Sequence, residues 1–169
     1  MPAWSRPLEV ERLADGGADL DFTVPLAELS GLRLGRASVA GSVHGRVRFG
    51  HEAGVAVAEL TLNGTATLVC QRCMQPMELP IHSVVRVGLV GSEAEIARVS
   101  EDLEPMLAPG GRISIGELVT EEMLLSLPIV PLHGSDAGCG AASPAAGAPG
   151  RAAEATHRPF AHLDELLKR

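Results

Sequence analysis

Aromatic side chains are nearly missing from this chain: one Trp, three Phe and no Tyr make up 2% of its 169 residues. That argues against a stacking module for single-stranded RNA, which needs exposed rings at regular places. It also obliges the core to be built from Val, Leu, Ile, Ala and Met. Cysteine is scarce as well, three in all, and an odd number suits a reducing compartment better than a disulfide scaffold. No apolar run reaches membrane-spanning length, and Met1-Pro2-Ala3-Trp4-Ser5-Arg6 does not read as a signal peptide. A cytoplasmic protein with no membrane partner is therefore expected, and the sequon Asn63-Gly64-Thr65 is read as structural. The chain has no phosphate-binding loop, no His-Glu-x-x-His and no Gly-x-Ser-x-Gly elbow. Its carboxylates Glu101, Asp102 and Glu104 lie beside Pro105, where such a run is usually solvated. We expect no enzymatic activity and no small-molecule substrate.

What is present begins with Cys70-Gln71-Arg72-Cys73. Two thiols three positions apart can supply half of a tetrahedral zinc site from one turn, and Arg72 between them favours thiolates. His133 and Cys139 could supply the other half, giving the ligand set Cys70, Cys73, His133 and Cys139. Two other readings stay open. The pair could be redox-active, although that chemistry places its first thiol at a helix start within a βαβ pattern, and here Pro76 and a further strand follow. The cysteines could also be small packing residues.

The net charge of −7 disfavours a dominant nucleic-acid-binding role. Charge is unevenly spread, however. Residues 31–51 hold Arg33, Arg36, Arg46 and Arg48 with His44 and His51 and no acid, whereas residues 91–130 hold eight acids against Arg98 and Arg112. Arg46 and Arg48, two apart on a strand, share a face and could meet phosphates. The overall acidity favours the other reading, in which they are the solvated charges of an edge strand that block aggregation.

Periodicity gives the rest. An extended piece covers Pro7 to Val10, and Pro25 to Leu29 reads as a short helix. Val39, Val43, Val47 and Phe49 alternate as a half-buried strand, Gly50 to Gly54 is a turn, and Val55 to Val69 alternates again. Asn63-Gly64 is a hairpin signal, but the stretch after it is short, so a bulge in one long strand is preferred. Ile81 to Val90 is a further strand, and Gly91 to Gly111 reads as an acidic loop. Ser114-Ile115-Gly116-Glu117 forms a capping box, and Ile115, Leu118, Val119, Glu122, Met123 and Leu127 fall on one face of a helix that Pro128 ends. The expected architecture is α+β: a twisted, mainly antiparallel sheet with one packed amphipathic helix, a short N-terminal helix and a docked C-terminal helix. The expected division is a domain over 1–133, a disordered Ala/Gly/Pro-rich linker over 134–157, and a docking helix over 158–169 that offers Phe160, Leu163, Leu166 and Leu167.

Taken in order, these blocks resemble a known family. A β run ends in Cys70-Gln71-Arg72-Cys73, then come Pro76 and another strand. Ile113-Ser114-Ile115-Gly116-Glu117-Leu118-Val119 and Glu121-Glu122 follow. Next are Leu124-Leu125-Ser126-Leu127-Pro128-Ile129-Val130-Pro131-Leu132-His133, a nearby Cys, and Pro159-Phe160-Ala161-His162-Leu163. This pattern is similar to the YceD-like family of large ribosomal RNA subunit accumulation proteins, a domain of unknown function. The opening Trp4-Ser5-Arg6-Pro7 is similar to the start of its alphaproteobacterial members. The resemblance implies a bacterial or plastid protein needed for accumulation of 23S ribosomal RNA, with ribosome-assembly proteins or large-subunit ribosomal RNA as partners. It places Cys70, Cys73, His133 and Cys139 at the family's Cys, Cys, His and Cys positions; zinc as a cofactor is an expectation from the donor set itself. If RNA is touched, Arg33, Arg36, Arg46, Arg48 and Arg72 are the expected contacts.

Overall fold

The computed structural model describes residues 2–33, 39–134 and 139. The expected linker over 134–157 and docking helix over 158–169, with Arg36, lie outside the described residues, apart from Gly134 and Cys139.

The chain opens with β1 (Leu8–Glu9), α1 (Val10–Asp15) and β2 (Asp19–Pro25). Three long strands follow: β3 (Ala40–Glu52), β4 (Val55–Val69) and β5 (Pro76–Val90). Then come β6 (Glu104–Leu107), β7 (Arg112–Ile113) and α2 (Ile115–Ser126). Five strands form one sheet in the order β2-β3-β4-β5-β6, and β1 pairs with β7 in a small second one. Every pairing in the large sheet is antiparallel except β5 with β6, which run parallel over Val87 to Val90. The fold is thus α+β, as expected from the patterning.

One sheet face is apolar because alternation points every second residue the same way. Val43, Val47 and Phe49 of β3 lie on it with Ala58, Leu60 and Leu62 of β4, and all are buried. Helix α2 is part of the same core through Ile115, Leu118, Val119 and Met123. Its start is fixed by the capping box: Ser114 Oγ accepts from the Glu117 N–H at 3.2 Å, and the Glu117 carboxylate accepts from the Ser114 N–H at 2.7 Å. Trp4 lies against Gly116 in that first turn, where a β-carbon would come within 2.8 Å of the indole. Glu122 is buried on the inner face and accepts hydrogen bonds from the Ser83 and Ser126 hydroxyls at 2.6 and 2.9 Å.

Several local expectations are corrected. Asn63-Gly64 is neither hairpin nor bulge, since β4 keeps one-to-one register with both neighbours through those residues. Gly64 is there for proximity: a β-carbon on it would strike the Ser42 carbonyl and sit 2.9 Å from Val43 Cα. The β3–β4 turn is only Ala53-Gly54, because pairing continues to Glu52 and Val55. Both turn residues have positive φ, 49° and 79°, as a tight primed turn requires. Pro25 to Leu29 closes as a single 3-10 turn over Leu26–Glu28. The extended piece stops at Glu9, and Val10 begins α1. The acidic 91–111 segment contains β6, whose Pro105 is tolerated on an edge strand. Strand β5 starts at Pro76, earlier than expected. Its 76–86 portion has no β6 partner, so Pro76 and Pro80 break no ladder on that side.

Candidate metal centre

Cys70 comes directly after β4, and Cys73 follows in a tight turn. That turn is built by the Cys70 N–H donating to the Gln75 carbonyl and the Met74 N–H donating to the Cys70 carbonyl, both at 2.9 Å. Met74, just after the second thiol, adopts φ 59°, a left-handed conformation that costs a non-glycine residue roughly 1–2 kcal/mol. The chain then runs through β5, the acidic segment and α2 before returning to the same place. Pro128 ends the helix, and the Gln71 N–H captures the Pro131 carbonyl at 2.9 Å. That bond sets His133 beside the turn.

The sulfur atoms of Cys70, Cys73 and Cys139 and a ring nitrogen of His133 all lie within 4.8 Å of one another. Cys70 Sγ is 3.4 Å from Cys139 Sγ, and Cys73 Sγ is 3.3 Å from His133 Nδ1. A tetrahedral zinc bound at usual lengths spaces its thiolates about 3.8 Å apart, so small adjustments would seat an ion. His133 Nε2 faces the Pro76 carbonyl at 3.1 Å. With a proton on Nε2 it donates there and leaves the Nδ1 lone pair facing the sulfurs, the outer-shell arrangement that orients a metal-binding imidazole. Arg72 donates from Nη1 to the Cys139 carbonyl at 2.7 Å, tying the fourth residue to the turn.

The electrostatics suit a cation. Burial pushes the Cys70 thiol up, but N–H groups of Cys73, His133 and Arg72 and the Cys139 thiol outweigh it, and its pKa falls from 9.0 to about 5. Cys139 moves the other way, to about 11, through its hydrogen bond with Cys73, burial and its closeness to Cys70. Three thiols sharing one small space cannot all ionise cheaply on their own, and a divalent ion relieves that conflict. The four residues could therefore hold one metal ion.

The basic band is differently placed. Arg46 and Arg48 do share a face, but β3 is an interior strand, and its neighbour β2 brings two acids alongside. Arg46 donates to both carboxylate oxygens of Asp21, from Nε at 2.9 Å and Nη2 at 3.1 Å. It also lies 3.3 Å from Asp19, which faces Arg48 at 3.5 Å. The fork from Arg46 holds the Asp21 carboxyl below its usual range, and the Arg46 guanidinium is raised in turn. Arg72 belongs to the thiol cluster. For Arg33 only the backbone is described, at the end of a 3-10 turn. Sequence reasoning missed Asp19 and Asp21, although their alternation with Leu20 and Phe22 marks a strand with an acidic face. It also missed a second cluster, in which His51 Nε2 lies 3.1 Å from Glu11 and Nδ1 lies 3.8 Å from Asp15. There the imidazole stands between two exposed carboxylates, a grouping common at protein surfaces without an ion.

Among the described residues no helix is long and apolar enough to cross a membrane. No solved structure matches the chain. A family model described as large ribosomal RNA subunit accumulation protein YceD matches residues 58–167. That span is well over half the chain and includes all four clustered thiol and imidazole residues, whereas the Trp4-Ser5-Arg6-Pro7 opening lies outside it. The chain therefore belongs to the YceD family of large ribosomal RNA subunit accumulation proteins.

Proposed function

We propose that this protein is a non-enzymatic ribosome-biogenesis factor supporting the synthesis, processing or stability of 23S ribosomal RNA, and that a structural zinc ion holds its metal centre together. One observation carries the reading: the span matched by the family contains four donor residues from two distant stretches of chain, and these meet at one point. Three thiolates and one imidazole suit zinc better than harder cations. Four protein ligands close the tetrahedron and leave no open position for a substrate, so the ion contributes folding free energy rather than chemistry. The pairing of Arg46 and Arg48 with Asp19 and Asp21 favours a protein partner in the assembling subunit over direct RNA contact.

The test is depletion of the protein in its own cell, with 23S quantified against 16S ribosomal RNA and the tagged protein followed on a sucrose gradient. The expected result is a 23S deficit and co-sedimentation with large-subunit precursors. A normal 23S ratio with all the protein at the top of the gradient would instead favour the second reading. That reading is a zinc-stabilised protein adaptor without a direct ribosomal role, supported by the same neutralised basic face.

A further inference from the structure

The end of α2 and the segment after it expose apolar side chains to an unusual degree. Leu125 is 71% exposed, Ile129 fully exposed, and Leu124, Val130 and Leu132 are 46%, 56% and 42% exposed. Mobility does not explain this, because the segment is anchored at both ends. The Leu127 N–H bonds the Met123 carbonyl, Pro131 is held by Gln71, and His133 sits against Pro76. Leu125 also lines a groove of about 130 Å³ beside Val85, Met106, Leu118 and Glu121, between α2 and the edge strand β6. A fixed apolar surface of this kind marks a place that something covers.

We propose that the cover is the chain's own C-terminal segment, residues 159–168, laid across the surface made by Leu124, Leu125, Ile129, Val130 and Leu132. Four observations select this occupant. Cys139 is fixed beside His133, so the thirty residues from 140 to 169 begin next to the surface. A segment as long as the one joining Cys139 to Phe160 reaches about 25 Å even as a random coil, enough to cross from the metal centre to α2. The segment carries Phe160, Leu163, Leu166 and Leu167 at the spacing of one helical face, which it cannot bury alone. Finally, the family match runs on through the Ala/Gly/Pro-rich stretch and stops at residue 167, the end of that apolar pattern. Tethering makes the docking intramolecular, at an effective concentration in the millimolar range, so modest contact suffices. The proposal does not depend on the identity of the metal or on a ribosomal role.

The experiment uses the full chain, reduced and metal-replete, as wild type, Leu163→Asp/Leu167→Asp, the milder Phe160→Ala, and Ile129→Asp. Amide hydrogen exchange across 124–127, binding of an apolar dye and sedimentation are read together. Both tail variants should speed exchange at the end of α2 and raise dye binding several-fold, more strongly for the double variant, while the protein stays monomeric and melts cooperatively. Unchanged exchange and dye binding in both tail variants would overturn the proposal. So would a concentration-dependent wild-type dimer that Ile129→Asp abolishes and the tail variants preserve, because a second copy would then be the cover.

Discussion

At the scale of single residues, the metal centre divides its labour unevenly. Cys70 and Cys73 share a turn that is closed by backbone hydrogen bonds with or without an ion. Cys139 is attached mainly through its thiol and the Arg72 contact to its carbonyl. Elemental analysis of protein purified under reducing conditions should find one zinc per chain, lost in both Cys73→Ala and Cys139→Ser; full occupancy in either variant would remove that residue from the ligand set. Acid should act through Cys70. Its folded pKa of about 5 lies below the ordinary 9.0, so the thiolate's contribution is present above pH 9 and is lost as pH falls through 5. Cys139, raised to about 11, contributes below pH 9 and loses that contribution as pH rises through 11. In metal-free, reduced protein the urea midpoint should therefore fall on both sides of pH 9, and Cys70→Ser should abolish the limb between pH 9 and 5 while weakening the alkaline one, because Cys70 also helps to hold the Cys139 thiol up. An acid limb that survives the substitution would assign it to other groups. The Cys-x-x-Cys pair was legible in the sequence from its spacing, with redox and packing uses still open, and His133 and Cys139, far along the chain, could be named only by residue type and by the family resemblance. Pro76 was not, since a backbone carbonyl leaves no trace in residue type.

At the scale of elements, what was legible is what is local. The Ser114–Glu117 capping box and the buried face of α2 follow from four residues and one period, and both stand as read. The long strands were equally clear from alternation. Strand β6 was not, because its single partner lies in β5 and nothing within Glu104-Pro105-Met106-Leu107 announces a parallel neighbour. Helix α1 is six residues and was hidden for the opposite reason: a piece that short has little periodicity to read, and packing decides it. The β3–β4 turn carries a local conflict that can be tested. Ala53 holds φ 49°, where Asn is favoured at the first position before Gly. Ala53→Asn should stabilise the protein by about 1 kcal/mol, read as a raised denaturant midpoint at unchanged slope. An unchanged or lowered midpoint would mean that the turn relaxes at no cost.

For the molecule as a whole, the solvent-facing side of the sheet reads across four strands as Asp19, Arg48, Glu59 and Arg86 in one row. Alternating signs of this kind cancel at a distance of a Debye length or so, which leaves the overall acidity to set long-range behaviour. Replacing both Arg46 and Arg48 with Ala should accordingly leave the salt dependence of co-sedimentation with large-subunit precursors unchanged. A flattened slope would instead put phosphates on this face. Charge balance was beyond the reach of the sequence because Asp19 and Asp21 come before the basic band and meet it only through strand pairing. The near absence of aromatic residues has a last consequence, in spectroscopy. With one Trp and no Tyr, almost all of the near-ultraviolet absorbance and intrinsic emission comes from Trp4, whose ring rests on Gly116 at the first turn of α2. A fluorescence-detected unfolding curve for this protein thus records the parting of its N-terminus from that helix. It will coincide with circular dichroism of the sheet only if the two come apart together.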